Sequence, residues 1–212
     1  MAACSIRRFR FRRSNKAAMR RKKGKGLGAT QEGARPVDSR FQGESLNKVD
    51  GKGRISLPAK FRRALQSGDS RCGPGDAARL YIAYGNPTTN FVECLSGDYY
   101  DDLVRRIEGM DDGESARELL EYLYFVKCDE VGVDETGRFV LPPAAREKLG
   151  LDGEALFQGK GQKFHILKPE DGVEADDKAR KMLEKFSDGK EFFNPISLAN
   201  KRRPDPADVE AQ

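Results

Sequence analysis

The stretch Val49-Asp50-Gly51-Lys52-Gly53-Arg54-Ile55-Ser56-Leu57-Pro58-Ala59-Lys60-Phe61-Arg62-Arg63-Ala64-Leu65 decides how this chain folds, because it occurs twice. At an offset of 84 residues the chain reads Val133-Asp134-Glu135-Thr136-Gly137-Arg138-Phe139-Val140-Leu141-Pro142-Pro143-Ala144-Ala145-Arg146-Glu147-Lys148-Leu149. Without gaps, 8 of the 17 positions are identical: Val, Asp, Gly, Arg, Leu, Pro, Arg and Leu. Such a repeat means that one supersecondary unit is used twice. In each copy an aspartate supplies a side-chain acceptor and a glycine permits positive φ, which makes a turn. Arg54 to Leu57 then alternates, with Ile55 and Leu57 on one face and Arg54 and Ser56 on the other. Pro58 stops the strand and suits the first turn of a short helix over Lys60–Leu65. Asp50 and Arg54, like Asp134 and Arg138, are spaced to face each other across their turns.

Outward from the first copy, Glu44–Val49 is expected as a strand, and Leu80–Tyr84 and Phe91–Leu95 as two more around Gly85-Asn86-Pro87. Ser96 is expected to cap a helix with Tyr100, Leu103, Val104 and Ile107 at helical spacing. A second helix over Glu114–Tyr124 carries Ala116, Leu119, Leu120, Leu123 and Tyr124. The second copy follows the same order: strand Val126–Val133, turn, strand Arg138–Leu141, helix Pro143–Leu149, then strands Ala155–Gln158 and Phe164–Leu167. A last helix over Asp171–Phe186 places Ala179, Met182, Leu183 and Phe186 on one face. The helical stripes read as packing surfaces, within the core or between subunits.

The fold class is therefore α+β. One hairpin unit buries too little to be stable alone. Two could interleave into a small closed barrel that removes exposed edges. The organisation expected is a basic disordered extension (1–40), a first repeat with its two helices (41–125), a second repeat with a terminal helix (126–186) and a mobile tail (187–212).

Charged residues make up 34% of the chain and mean hydropathy is −0.72. No run of about 18 apolar residues exists, so no membrane span is expected. Cys4, Cys72, Cys94 and Cys128 are scattered without a C-x-x-C, and His165 is the single histidine, which argues against a disulfide framework or zinc site and fits a reducing cytoplasm. Net charge is +5, but residues 1–40 hold 13 Lys/Arg against Glu32 and Asp38, whereas the remainder holds 26 basic and 32 acidic residues. The basic pI thus comes from the amino-terminal segment. That segment reads either as a sequence-independent phosphate-binding arm or as an extension outside the domain. Its twin arginines lack an apolar run after them, so no export signal is expected.

No catalytic constellation appears. Gly24-Lys25-Gly26-Leu27-Gly28 lacks the context of a phosphate-binding loop. His165 has no Cys or Ser partner, and Asp111/Asp112 and Asp176/Asp177 read as solvated charge. No enzyme activity, cofactor, metal or small-molecule substrate is expected.

Asp-x-x-x-Arg occurring twice, each time before [Ile/Phe]-x-Leu-Pro and separated by two helices, resembles the MraZ family of bacterial transcription regulators, in the wider SpoVT/AbrB-like swapped-hairpin group. The resemblance covers roughly Phe41 to Phe186. It implies two AbrB-like halves in one swapped-hairpin barrel and a ring-shaped homo-oligomer. It further implies binding to double-stranded DNA at tandem promoter boxes upstream of the division and cell-wall gene cluster, the chain's own gene included, usually as a repressor in a nucleoid-associated, cytoplasmic setting. By position the motif residues are Asp50, Arg54, Asp134 and Arg138. The family's aromatic-rich strand often ends in Trp, but here it reads Phe164-His165-Ile166-Leu167 and the chain has no tryptophan. Residues 1–40 and the carboxy-terminal tail lie outside the resemblance.

Charge separates the copies. Lys48 to Arg63 holds Lys48, Lys52, Arg54, Lys60, Arg62 and Arg63 against Asp50 alone; Asp134 to Lys148 holds three basic and three acidic residues. The first copy is therefore expected to face DNA, and the second to be mainly its structural twin, with Arg138 either paired to Asp134 or a lesser DNA contact. Arg54 is expected to read a guanine edge by bidentate donation. Lys48 and Lys52 would hold phosphates, Asp50 would orient Arg54, and Arg62 and Arg63 would either add backbone contacts or serve as solvated helix surface. Two other readings keep part of this scheme. In one, the chain is an AbrB-like antitoxin binding a toxin and its own operator, against which two hairpins and long intervening helices argue. In the other, residues 1–40 coat the nucleoid nonspecifically.

Overall fold

Each repeated stretch folds as strand, tight turn, short strand and helix, and the two copies interlock. A computed structural model of the chain describes residues 40–73, 75–188 and 193–199. The basic segment up to residue 39 and the tail from residue 200 lie outside the described residues. The first copy gives β1 (Glu44–Lys48), β2 (Arg54–Ser56) and α1 (Ala59–Ser67), followed by β3 (Ala78–Ala83), β4 (Phe91–Ser96), α2 (Gly97–Glu108) and α3 (Ser115–Glu121). The second gives β5 (Cys128–Val133), β6 (Arg138–Val140), α4 (Pro143–Leu149), β7 (Glu154–Gly159), β8 (Lys163–Leu167) and α5 (Pro169–Ser187).

The six longer strands form one antiparallel sheet in the order β1-β7-β8-β4-β3-β5. β1 of the first copy pairs with β7 of the second, and β5 of the second pairs with β3 of the first. β4 and β8 join the halves at the centre. β2 and β6 pair with each other as a separate two-stranded ribbon, Ile55 opposite Phe139. The closed barrel expected from the sequence is not formed by strand pairing among the described residues, and β1 and β5 end the sheet. The turns explain the break. Gly53 and Gly137 adopt φ of 78° and 82°, which swings each short strand off its predecessor. Only an isolated bridge, Val49 to Ile55, remains between β1 and β2.

The ribbon closes over the sheet through side chains instead. Ile55, Leu57, Phe61 and Leu65 from one copy and Phe139, Leu141, Ala145 and Leu149 from the other enter a single buried cluster with the sheet residues. At its centre Phe41, Phe61, Phe157 and Phe164 meet with ring centroids 4.8 Å (Phe41–Phe164) to 6.3 Å (Phe61–Phe157) apart. Edge and tilted contacts of this kind add to simple area burial.

Several local expectations are corrected. Ser96 occupies the N-cap position of α2 but makes no side-chain cap bond, because the Asp98 amide that it would serve already donates to the Gly68 carbonyl at 2.9 Å. The helix expected over Glu114–Tyr124 is α-helical only to Glu121 and continues as a wider π turn over Tyr122–Val126, closed by the Lys127 amide on the Tyr122 carbonyl at 3.0 Å. The stripe of α2 is covered, with Ile107 buried, and Leu120, Leu123 and Tyr124 of the next stripe are half-buried, whereas Leu119 and, off that stripe, Tyr122, Phe125 and Val126 are exposed, as are Met182, Leu183 and Phe186 on α5.

Candidate nucleic-acid interface

The first turn is built around the Asp50 carboxylate. One of its oxygens accepts from the Lys52 and Arg54 amides, each at 2.9 Å, and the other from Arg54 Nε at 2.6 Å. The Gly53 amide donates to the Asp50 carbonyl at 2.8 Å and closes the loop. The Arg54 backbone amide, then its guanidinium, hold the Asp50 carboxyl below the usual carboxylate range. The Arg54 side chain is 60% exposed, so the pair orients the guanidinium without burying it.

The second turn has the same backbone, with Asp134 accepting from the Thr136 and Arg138 amides at 2.9 and 2.8 Å. Its side chains differ. The Thr136 hydroxyl donates to that carboxylate at 2.7 Å, and the Asp134–Arg138 ion pair expected from the sequence is absent among the described residues. Arg138 instead lines an open groove with Lys48, Asp50, Arg54, Ile55 and Ser56. The ribbon register explains this. Arg138 lies opposite Ser56 and Val140 opposite Arg54, so both motif arginines stand on the exposed face of β2–β6 while Ile55 and Phe139 point into the core.

Each copy also braces the turn of the other. The Leu57 amide donates to the Gly137 carbonyl at 2.7 Å, and the Leu141 amide to the Gly53 carbonyl at 2.8 Å. Arg62 Nη1 donates to the Glu135 carbonyl at 3.2 Å, beside Gly137. Arg146, its counterpart, lies against Gly53 so closely that a Cβ there would come within 2.7 Å of Arg146 Cδ. The repeat identity of Arg62 and Arg146 is thus accounted for by turn bracing. Arg62 contributes one donor to this brace and does not line the groove; Arg63 is exposed on α1 and does not line it either, whereas Lys48 lines it and Lys52 is exposed on the turn itself. Arg146 was not a candidate from charge; the signal for it was its identity with Arg62.

Two expectations follow from this geometry. Gly53→Ala should destabilise the protein by about 1–2 kcal/mol for the left-handed backbone alone, with more from displacing Arg146. Gly51→Ala, with open space and no positive φ, should stay within about 0.5 kcal/mol in urea denaturation. Second, the folded-state carboxyls of Asp50 and Asp134 both titrate below the ordinary aspartate value of 3.8. Their contribution is fully present above that value and is lost as pH falls through the depressed one. The Arg54 and Arg138 amide resonances should therefore hold their positions from neutral pH down to about pH 4 and shift only in stronger acid.

His165 is built into the sheet, its ring stacked on Phe91 at 3.9 Å between centroids. Among the described residues, no cluster of His, Cys, Asp and Glu could hold a metal ion, and no helix is long and apolar enough to cross a membrane.

The Transcriptional regulator MraZ of Ruegeria sp. (strain TM1040) is 39% identical over 160 residues, covering 75% of this chain and 94% of that protein. The chain belongs to the MraZ family. A second MraZ, from Ruegeria pomeroyi, is 40% identical over 130 residues, covering 61% of this chain and 78% of that one. A more distant MraZ from Rickettsia bellii (strain OSU 85-389) is 29% identical over 124 residues, 58% of this chain and 77% of its own. No protein-family model matches the chain. In this MraZ-family chain the two Asp-x-x-x-Arg motifs converge on one ribbon instead of forming separate sites.

Proposed function

We propose that this MraZ-family chain is a sequence-specific DNA-binding transcriptional regulator whose β2–β6 ribbon enters the major groove. The observation that carries this reading is the shared exposed face of that ribbon, with Arg54 held by Asp50 and Arg138 beside it. A two-stranded β-ribbon fits the major groove, and arginine reads guanine O6 and N7 with two parallel donors. Lys48 and Lys52 flank the face as phosphate contacts, which fix register without reading sequence. Both repeats then contribute a reading arginine, and the greater positive charge of the first decides which edge sits deeper against the backbone.

The interlocked hairpins are of the swapped kind, in one body made by the two repeats. The exposed apolar side chains on α3 and α5 support assembly of several copies into a homo-oligomer, ring-shaped if head-to-tail contacts close. A ring would present several identical ribbons to tandem boxes, so that weak individual contacts combine. Binding in this scheme occurs at direct repeats upstream of the division and cell-wall gene cluster, the chain's own gene included, as a repressor in the cytoplasmic nucleoid. The relatives' name, Transcriptional regulator MraZ, supports the regulatory role.

The test is an anisotropy titration of wild type and of Arg54→Ala against duplex DNA from upstream of the chain's own gene, with light scattering on the same samples. Specific binding by wild type, lost in Arg54→Ala with the oligomer intact, supports the reading. Equal binding by both sinks it.

A further inference from the structure

The exposed ribbon face is twofold in its arginines and not in their neighbours. Arg54 and Arg138 are equivalent positions of the two repeats, and so are Ser56 and Val140. In the antiparallel register this gives two cross-strand pairs on one face, Arg54 with Val140 and Ser56 with Arg138. Val140 is 51% exposed, a branched apolar side chain standing in water beside a charged one. On a groove-reading surface, such a side chain matches one feature of the major groove, the C5 methyl of thymine, which no other natural base pair edge presents there.

We propose that Val140 is a specificity-determining residue that packs on a thymine methyl next to the base read by Arg54, and that the Ser56/Val140 difference gives the ribbon a direction on DNA. This rests on the reading of the ribbon as the DNA-binding element. Directly opposed side chains on an antiparallel pair stand about 5 Å apart at Cβ. Successive base pairs rise about 3.4 Å. A guanine met by Arg54 therefore leaves Val140 over a neighbouring step. At the other end of the ribbon, Ser56 can donate to or accept from any base beside Arg138, and adds no preference for a methyl. With four equivalent side chains the base-reading face would match an inverted repeat equally well from either side, and only the phosphate contacts of Lys48 and Lys52 would tell its edges apart. With Val140 at one corner only, one orientation buries a methyl against a methyl and the other leaves it against a polar edge. That difference makes each box asymmetric, as direct repeats require.

The experiment uses the full chain and the duplex that wild type selects from a random library. Each thymine of a box is replaced in turn by deoxyuridine, which removes only the C5 methyl. One position should weaken wild-type binding roughly three- to five-fold, the effect of one buried methyl group. Val140→Ala should lose a similar factor on the thymine duplex and nothing further at that one deoxyuridine. A flat uracil scan, or penalties from Val140→Ala and deoxyuridine that multiply at every position, would overturn the assignment. Arg54→Ala on the same duplex separates the two levels. If it binds like wild type, the ribbon reading fails. If it loses specific binding while the uracil scan is flat, only the role of Val140 falls.

Discussion

Arg54→Ala should abolish most sequence discrimination while leaving the fold and the oligomer intact. A bidentate arginine–guanine contact discriminates by about 1–3 kcal/mol, roughly five- to 150-fold in affinity. Where several copies of the chain engage tandem boxes together, these factors compound, and the measured loss on an intact operator should exceed that on a single box. Stability should hardly change, because the Asp50–Arg54 pair is exposed and such pairs contribute little. Arg54→Lys is the sharper variant. It keeps the charge but loses the planar fork and the Nε donor that meets Asp50 at 2.6 Å. Its salt dependence should stay near wild type while discrimination falls nearly as far as in the alanine variant. A lysine variant that discriminates normally would mean that Arg54 acts as a phosphate contact only.

Phe164→Ala should produce the largest change in stability. Phe164 is fully buried and touches Phe41, Phe61 and Phe157, with centroids at 4.8, 5.2 and 5.8 Å. These rings come from the start of the first repeat, α1, β7 and β8, so the cavity would open where the two repeats meet. Deleting a buried phenylalanine costs about 3–5 kcal/mol. For a chain of this size that lowers Tm by about 6–20 °C. Thermal melts should show one transition for both repeats, since each repeat's first strand is paired to the other. Two transitions, with only the second repeat destabilised, would contradict a common core.

The repeat made most of the architecture legible from the residues. Leu57/Leu141 and Leu65/Leu149 are identical pairs because they fill equivalent places in one core, and Pro58/Pro142 because both start helices. Asp50 and Asp134 were readable as turn acceptors because a carboxylate can take several backbone amides at once. Interleaving of the two copies was expected from the residues; what they did not disclose was its register, with β2 and β6 paired apart from the six-stranded sheet. The spacing of Asp134 and Arg138 matches that of Asp50 and Arg54, yet Thr136 in place of Lys52 adds a hydroxyl donor to the Asp134 oxygen that takes the amides, and Arg138, unpaired with Asp134, lies near Arg54 across the ribbon. Charge counting along the chain weighted the first copy because it does not register that β2 and β6 are neighbours, which puts Arg54 and Arg138 on one exposed face. Likewise the charge of Arg62 was visible, but not that one of its donors meets a backbone carbonyl 73 residues away in sequence. The exposed stripe of α5 was visible as helical periodicity, but periodicity does not say which body covers it.

The most direct measurement is a site-specific photocrosslink. A small diazirine-bearing residue placed at Ser56, on the ribbon face between the arginines, should capture the operator duplex on irradiation. The same residue at Leu119, exposed on α3, should capture protein or nothing. DNA captured from position 119 and not from position 56, with both variants binding the duplex normally, would contradict the ribbon as the DNA-reading element.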